Sequence, residues 1–64
     1  MKYAEKASVE AGLAFKSPSS IPIKTTGKTV KIESHNLYVH EVVITEGTGQ
    51  GNTFLLNLDA ATPL

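Results

Sequence analysis

The sequence predicts a mainly β fold, a small antiparallel meander of four to five strands closing towards a barrel or a two-layer sandwich. Three observations predict it. Two apolar runs, Leu37–Thr45 and Thr53–Leu58, flank a glycine-rich break and read as a hairpin. A second pair of alternating runs, Ile21–Thr25 and Lys28–Glu33, flanks Thr26-Gly27. Pairing across three short turns then places the bulky aliphatic side chains on a common face.

The elements follow in order. Residues 2–16 support two readings. The Ala, Glu, Lys and Leu content suits a helix. As a strand, Val9, Ala11, Leu13 and Phe15 alternate with Ser8, Glu10, Gly12 and Lys16, and Gly12 costs a helix up to ~1 kcal/mol. A strand over 8–16 is therefore expected, with a turn or two of helix before it. The alternative architecture is α+β, a four-stranded sheet covered by an N-terminal helix. Lys16-Ser17-Pro18-Ser19-Ser20 is a loop. Pro22 cannot donate a ladder hydrogen bond, so the 21–25 strand is expected at an edge, with the N-terminal strand beside the strand over 53–60.

The expected registers are explicit. A two-residue turn at Thr26-Gly27 sets Ile23 opposite Val30 and Ile21 opposite Ile32. A three-residue connection, Ser34-His35-Asn36, sets Ile32 opposite Tyr38 and Val30 opposite His40. The loop Glu46–Asn52 sets Ile44 opposite Phe54, Val42 opposite Leu56, His40 opposite Leu58 and Tyr38 opposite Ala60. One face then carries Ile21, Ile23, Val30, Ile32, Tyr38, Val42, Ile44, Phe54, Leu56 and Leu58. The other carries Leu37, Val39, Val43 and Leu55 among Lys24, Lys31, Glu41, Asn57 and Asp59.

Composition bounds the function. The chain has 64 residues, a hydrophobic fraction of 41% and a charged fraction of 19%, which suit one globular domain spanning 1–64. A domain of this size buries only about 60% of the surface of its unfolded chain. With no Cys, disulfides and thiolate metal sites are excluded, which leaves oligomerisation as the available source of extra stability. Formal net charge is zero, yet residues 1–31 carry all six Lys and only two Glu, whereas Glu33, Glu41, Glu46 and Asp59 fall in 32–64. No apolar run has the length of a membrane span and none reads as a leader, so a cytoplasmic location is the default, with a virion or particle component equally compatible.

Motifs for chemistry are weak. His35 and His40 lack a recognised ligand spacing, and no metal or cofactor is expected; His40 should sit partly buried near a rim and His35 in solvent. No Ser or Thr lies in a nucleophile elbow. Gly47-Thr48-Gly49-Gln50-Gly51 precedes a strand and lacks a Walker lysine, so it reads as a hairpin tip. The expected function is a non-enzymatic protein-binding or assembly module, a homo-oligomer formed through one sheet face or edge. Its contact residues are Leu37, Val39, Val43 and Leu55, with Lys31, Glu41 and Asp59 setting register. The alternative is a small single-stranded nucleic-acid-binding barrel using Lys24, Lys28 and Lys31. The absence of Arg and the zero net charge count against it.

Overall fold

The computed structural model describes residues 3–64. The fold is mainly β: five antiparallel strands form one open sheet that does not close into a barrel. The strands are β1 (Ala14–Lys16), β2 (Pro22–Ile32), β3 (Leu37–Ile44), β4 (Thr53–Leu56) and β5 (Thr62–Pro63), in the spatial order β4-β3-β2-β1-β5. Single 3₁₀ turns occupy Tyr3–Glu5 and Leu58–Ala60. No helix among the described residues is long and apolar enough to cross a membrane.

The expected turn at Thr26-Gly27 is absent, and residues 22–32 run on as one strand against β3. Ile23, Lys24 and Thr25 pair with Ile44, Val43 and Val42, whereas Thr29 to Ile32 pair with His40 to Leu37. Two extra residues are therefore accommodated on β2 between Thr25 and Thr29, as a bulge. Gly27 takes φ +93°, a conformation that serves a tight turn and a bulge equally well. Its Cα faces the chain at Ala11, whose Cβ would lie 3.4 Å from a Cβ added at Gly27. The N-terminal segment thus occupies the space a first hairpin would have needed.

The β2–β3 connection is Glu33–Asn36, four residues rather than three, with Asn36 at φ +50°. The extra residue shifts the register by one, so Lys31 rather than Ile32 lies opposite Tyr38. A shift of one exchanges faces. Val30 and Ile32, expected in the core, therefore lie on the opposite face, paired with Val39 and Leu37. The β3–β4 register is displaced by two, with Val42 opposite Phe54 and His40 opposite Leu56. A shift of two preserves faces, so Val42, Phe54 and Leu56 share a side as expected.

The N-terminal strand is short. Only Ala14–Lys16 pairs, with β2 on one side and β5 on the other, not with β4. Gly12 at φ +84° bends the chain before it. Pro22 lies at the first position of β2, where its missing N–H is harmless, so the strand occupies the middle of the sheet despite its proline. The strand expected over 53–60 stops at Leu56, because Asn57 caps the following 3₁₀ turn by accepting from the Asp59 N–H at 3.0 Å.

One face carries the core. Phe15, Ile23, Val42 and Leu58 are buried, ringed by Tyr3, Val9, Leu13, Ile21, Ile44, Leu56 and Ala61. The Tyr3 ring meets Phe15 edge-on at 5.5 Å. Two buried polar side chains hold the N-terminal segment onto this core. The Thr25 hydroxyl donates to Glu10 C=O at 2.5 Å and accepts from Leu13 N–H at 3.0 Å. Its backbone N–H and C=O are bound by Leu13 C=O and Gly12 N–H, at 3.0 and 2.7 Å. His40, expected near a rim, is wholly buried because Tyr3 covers it. Tyr3 C=O, 3.2 Å from Nε2, can only accept, so Nε2 carries the proton in the neutral ring and Nδ1 accepts from the Thr29 hydroxyl at 2.9 Å.

Replacing Thr25 by Val keeps the shape and orphans two backbone groups. An equilibrium urea titration is expected to show a loss of about 1–3 kcal/mol for Thr25→Val and much less for Thr25→Ser, which keeps the hydroxyl. Phe15→Ala, costing about 3–5 kcal/mol, should leave no cooperative transition in a domain this small.

Candidate functional site

With the core on one side, the other face of the sheet is the candidate site. Alternation along the paired strands places Val30 and Ile32 of β2, Leu37, Val39, Glu41 and Val43 of β3, and Leu55 of β4 on it. None of its apolar residues belongs to the core cluster. The segments outside the sheet lean the other way: Tyr3, Val9, Leu13, Leu58 and Ala61 all pack with the core, and the Glu46–Asn52 loop approaches Ile44 through Gly49. Val30, Ile32, Leu37, Val39 and Val43 are partly buried, and Leu55 is 46% exposed.

Polar groups are sparse on this face. Glu41 lies opposite Leu55, between Val39 and Val43 along β3. Its carboxylate accepts from the Thr26 hydroxyl at 2.8 Å, a bond made available by the bulge that carries Thr26. Lys24, opposite Val43, is exposed on the same side. The result is an apolar surface with an acid, Glu41, within it and a base, Lys24, at its Val43 end.

Of the residues expected from the sequence, Leu37, Val39, Val43, Leu55 and Glu41 are brought together here. Lys31 and Asp59 are not. Lys31 points to the core side of the β2–β3 arm, with its ammonium 6.0 Å from the Tyr38 ring centroid and 3.8 Å from the Glu33 carboxylate. That ion pair is exposed and worth ~0–1 kcal/mol. Asp59 leaves the sheet in the second 3₁₀ turn, where its carboxylate accepts from the N–H groups of Tyr3 and Ala4 at 2.7 and 3.1 Å. It therefore anchors the first 3₁₀ turn and shares no face with Glu41. The structure also separates Lys24, Lys28 and Lys31. Without the first hairpin they are strung along one strand, with Lys24 and Lys31 on opposite sides.

Val30 and Ile32 are the members of the face that sequence reasoning missed. The signal was the loop: counting Glu33 into the connection reverses their direction. Thr25 and His40 were missed as buried polar ties, since nothing local marks a threonine or histidine for burial.

Two clefts border Tyr3 on the core side. One, of about 270 Å³, is lined by Tyr3, Leu58, Asp59, Ala61 and Pro63. The other, of about 250 Å³, lies between Tyr3 and the Lys6–Leu13 segment. In the first, the one ionisable carboxylate already holds two backbone amides. Among the described residues, no three His, Cys, Asp or Glu side chains converge as metal ligands.

Glu41→Leu removes the acid from the apolar face. The expected outcome is stronger binding of a hydrophobic dye and unchanged protomer stability within about 1 kcal/mol, because Glu41 is partly solvated and its partner Thr26 can turn to water. A loss above about 3 kcal/mol by urea titration would show the acid to be structural instead. Comparison with protein-family models, with curated proteins and with solved structures finds no significant match to this chain.

Proposed function

We propose that the protein is a non-enzymatic assembly module that associates with further copies of itself, using the uncovered face of its sheet. The observation that carries this reading is the two-sidedness of the sheet. Among the described residues, Tyr3, Val9, Leu13, Leu58 and Ala61, all outside the strands, pack on the Phe15–Val42 side. The opposite side presents six aliphatic residues from three strands: Val30, Ile32, Leu37, Val39, Val43 and Leu55. An apolar surface of that continuity marks an interface more often than free solvent-exposed surface.

Size supports the same reading. Among the described residues the buried core consists of four apolar side chains, small even for a short domain, and a sequence without Cys has no disulfide to supplement it. Covering the second face supplies the burial that one protomer lacks. At roughly 25 cal/mol per Å², burying even a few hundred Å² of it contributes several kcal/mol before the costs of association. The zero formal net charge removes long-range repulsion between copies.

The test is mass in solution by light scattering across micromolar concentrations. The unmodified chain is expected to exceed the 6.8 kDa of one protomer. Val43→Lys, on the face between Lys24 and Thr53, should lower that mass while circular dichroism shows the same strand content. A single-protomer mass for the unmodified chain at tens of micromolar would refute the assignment.

A further inference from the structure

We infer that β4 is a second contact between copies, an edge that pairs antiparallel with β4 of a neighbouring chain about a twofold axis at Leu55. The inference rests on the self-association proposed above, but it uses the edge of the sheet and not its face.

The two edges of the sheet are unlike. β5 is two residues long and ends in Pro63, and short edges with proline resist further pairing. β4 has neither safeguard. Its residues Thr53-Phe54-Leu55-Leu56 include no charge and no proline, and Phe54 and Leu55 are 37% and 46% exposed. Its free backbone groups can be assigned from the ladder. Ile44 N–H donates to Asn52 C=O at 2.9 Å, which makes that position a hydrogen-bonded one. Alternation along an antiparallel pair makes Val42–Phe54 and His40–Leu56 hydrogen-bonded as well. The N–H and C=O of Thr53 and Leu55 are then directed away from β3, towards the open edge.

A second copy fits that edge in a definite register. With Leu55 opposite its own copy, both outward groups of Leu55 are satisfied reciprocally. Phe54 then meets Leu56 on the core side, and Thr53 meets Asn57. Every cross-strand pair is apolar with apolar or polar with polar, and no like charges face each other. The nearest acid on the adjoining strand is Glu41, opposite Leu55. Across the new junction the two Glu41 residues stand about 14 Å apart, three strand spacings, beyond the screening length of ~8 Å at physiological salt. The junction also places the two Leu55 side chains side by side, so the apolar faces of both copies become one surface.

Amide hydrogen exchange tests this directly. In an isolated protomer the amides of Thr53 and Leu55 are open to water. In the full-length chain they are expected to slow at least about tenfold as concentration is raised through the association range. Leu55→Pro and Thr53→Pro remove outward N–H groups that the protomer does not use, and each should drop the mass by one pairing step, to half. Leu55→Ala, which keeps the N–H, should leave the pairing in place. Persistent fast exchange at both amides in the pure chain assigns the edge to another partner or to none and overturns the inference. So does an unchanged mass for both proline variants while Val43→Lys still lowers it, in which case the face contact stands alone. A mass halved by Leu55→Pro but untouched by Val43→Lys supports the edge and refutes the face. A single-protomer mass for the unmodified chain refutes both.

Discussion

The buried hydroxyl of Thr25 is the interaction on which the rest of the molecule depends. Through one side chain and its own backbone it makes four hydrogen bonds to Glu10, Gly12 and Leu13. These stitch an irregular segment onto the middle of β2. That segment brings Val9 and Leu13 against the core and delivers Phe15 into it. Leu58 and Ala61 from the C-terminal side complete the cover over Ile23 and Val42. A buried polar group costs free energy unless its partners are supplied, and here each partner comes from the segment being held. The tie is therefore both an attachment and a condition on where the segment lies.

His40 and Asp59 extend the same device. His40 joins Thr29 to the carbonyl of Tyr3, and Asp59 receives the amides of Tyr3 and Ala4. The first 3₁₀ turn is thus fastened from two directions, and Tyr3 can close over Phe15. All of this fastening is on one side. The asymmetry of the sheet is a consequence of it: the segments that Tyr3, Val9, Leu13 and Leu58 belong to are committed to the core side, opposite the Val39–Val43 side.

The bulge in β2 links the two sides. It admits two additional residues opposite β3, lets Ala11 approach Gly27, and carries Thr26 to the Glu41 carboxylate. The same irregularity that gives the N-terminal segment room thus sets the one hydrogen-bonded acid of the exposed face. Beyond it, β2 and β3 continue as an arm whose Val30–Val39 and Ile32–Leu37 pairs lie on the uncovered side. Fold and candidate contact surface share one local distortion.

Much of this was legible in the amino-acid order. Strand-forming runs, the hairpin from Leu37 to Leu56, the left-handed Asn36 and the common side of Val42 and Leu56 all follow from alternation and turn chemistry, which are local properties. So does the membership of Leu37, Val39 and Val43 in one face, since residues two apart on a strand share a side whatever the strand pairs with, and Leu55 joins them because the β3–β4 register moved by an even number of residues. Three features were decided only by the tertiary structure. Thr26-Gly27 became a bulge because a glycine at positive φ is compatible with both outcomes and the presence of Ala11 above it selects one. Val30 and Ile32 changed faces because register depends on the length of a loop whose first residue, Glu33, is equally suited to strand or turn. The order of strands, with β1 beside β2, followed from Thr25 binding a segment twelve to fifteen residues away. Local sequence sets which way each side chain alternates; which side is covered is a matter of long-range hydrogen bonds and packing that no window of neighbouring residues contains.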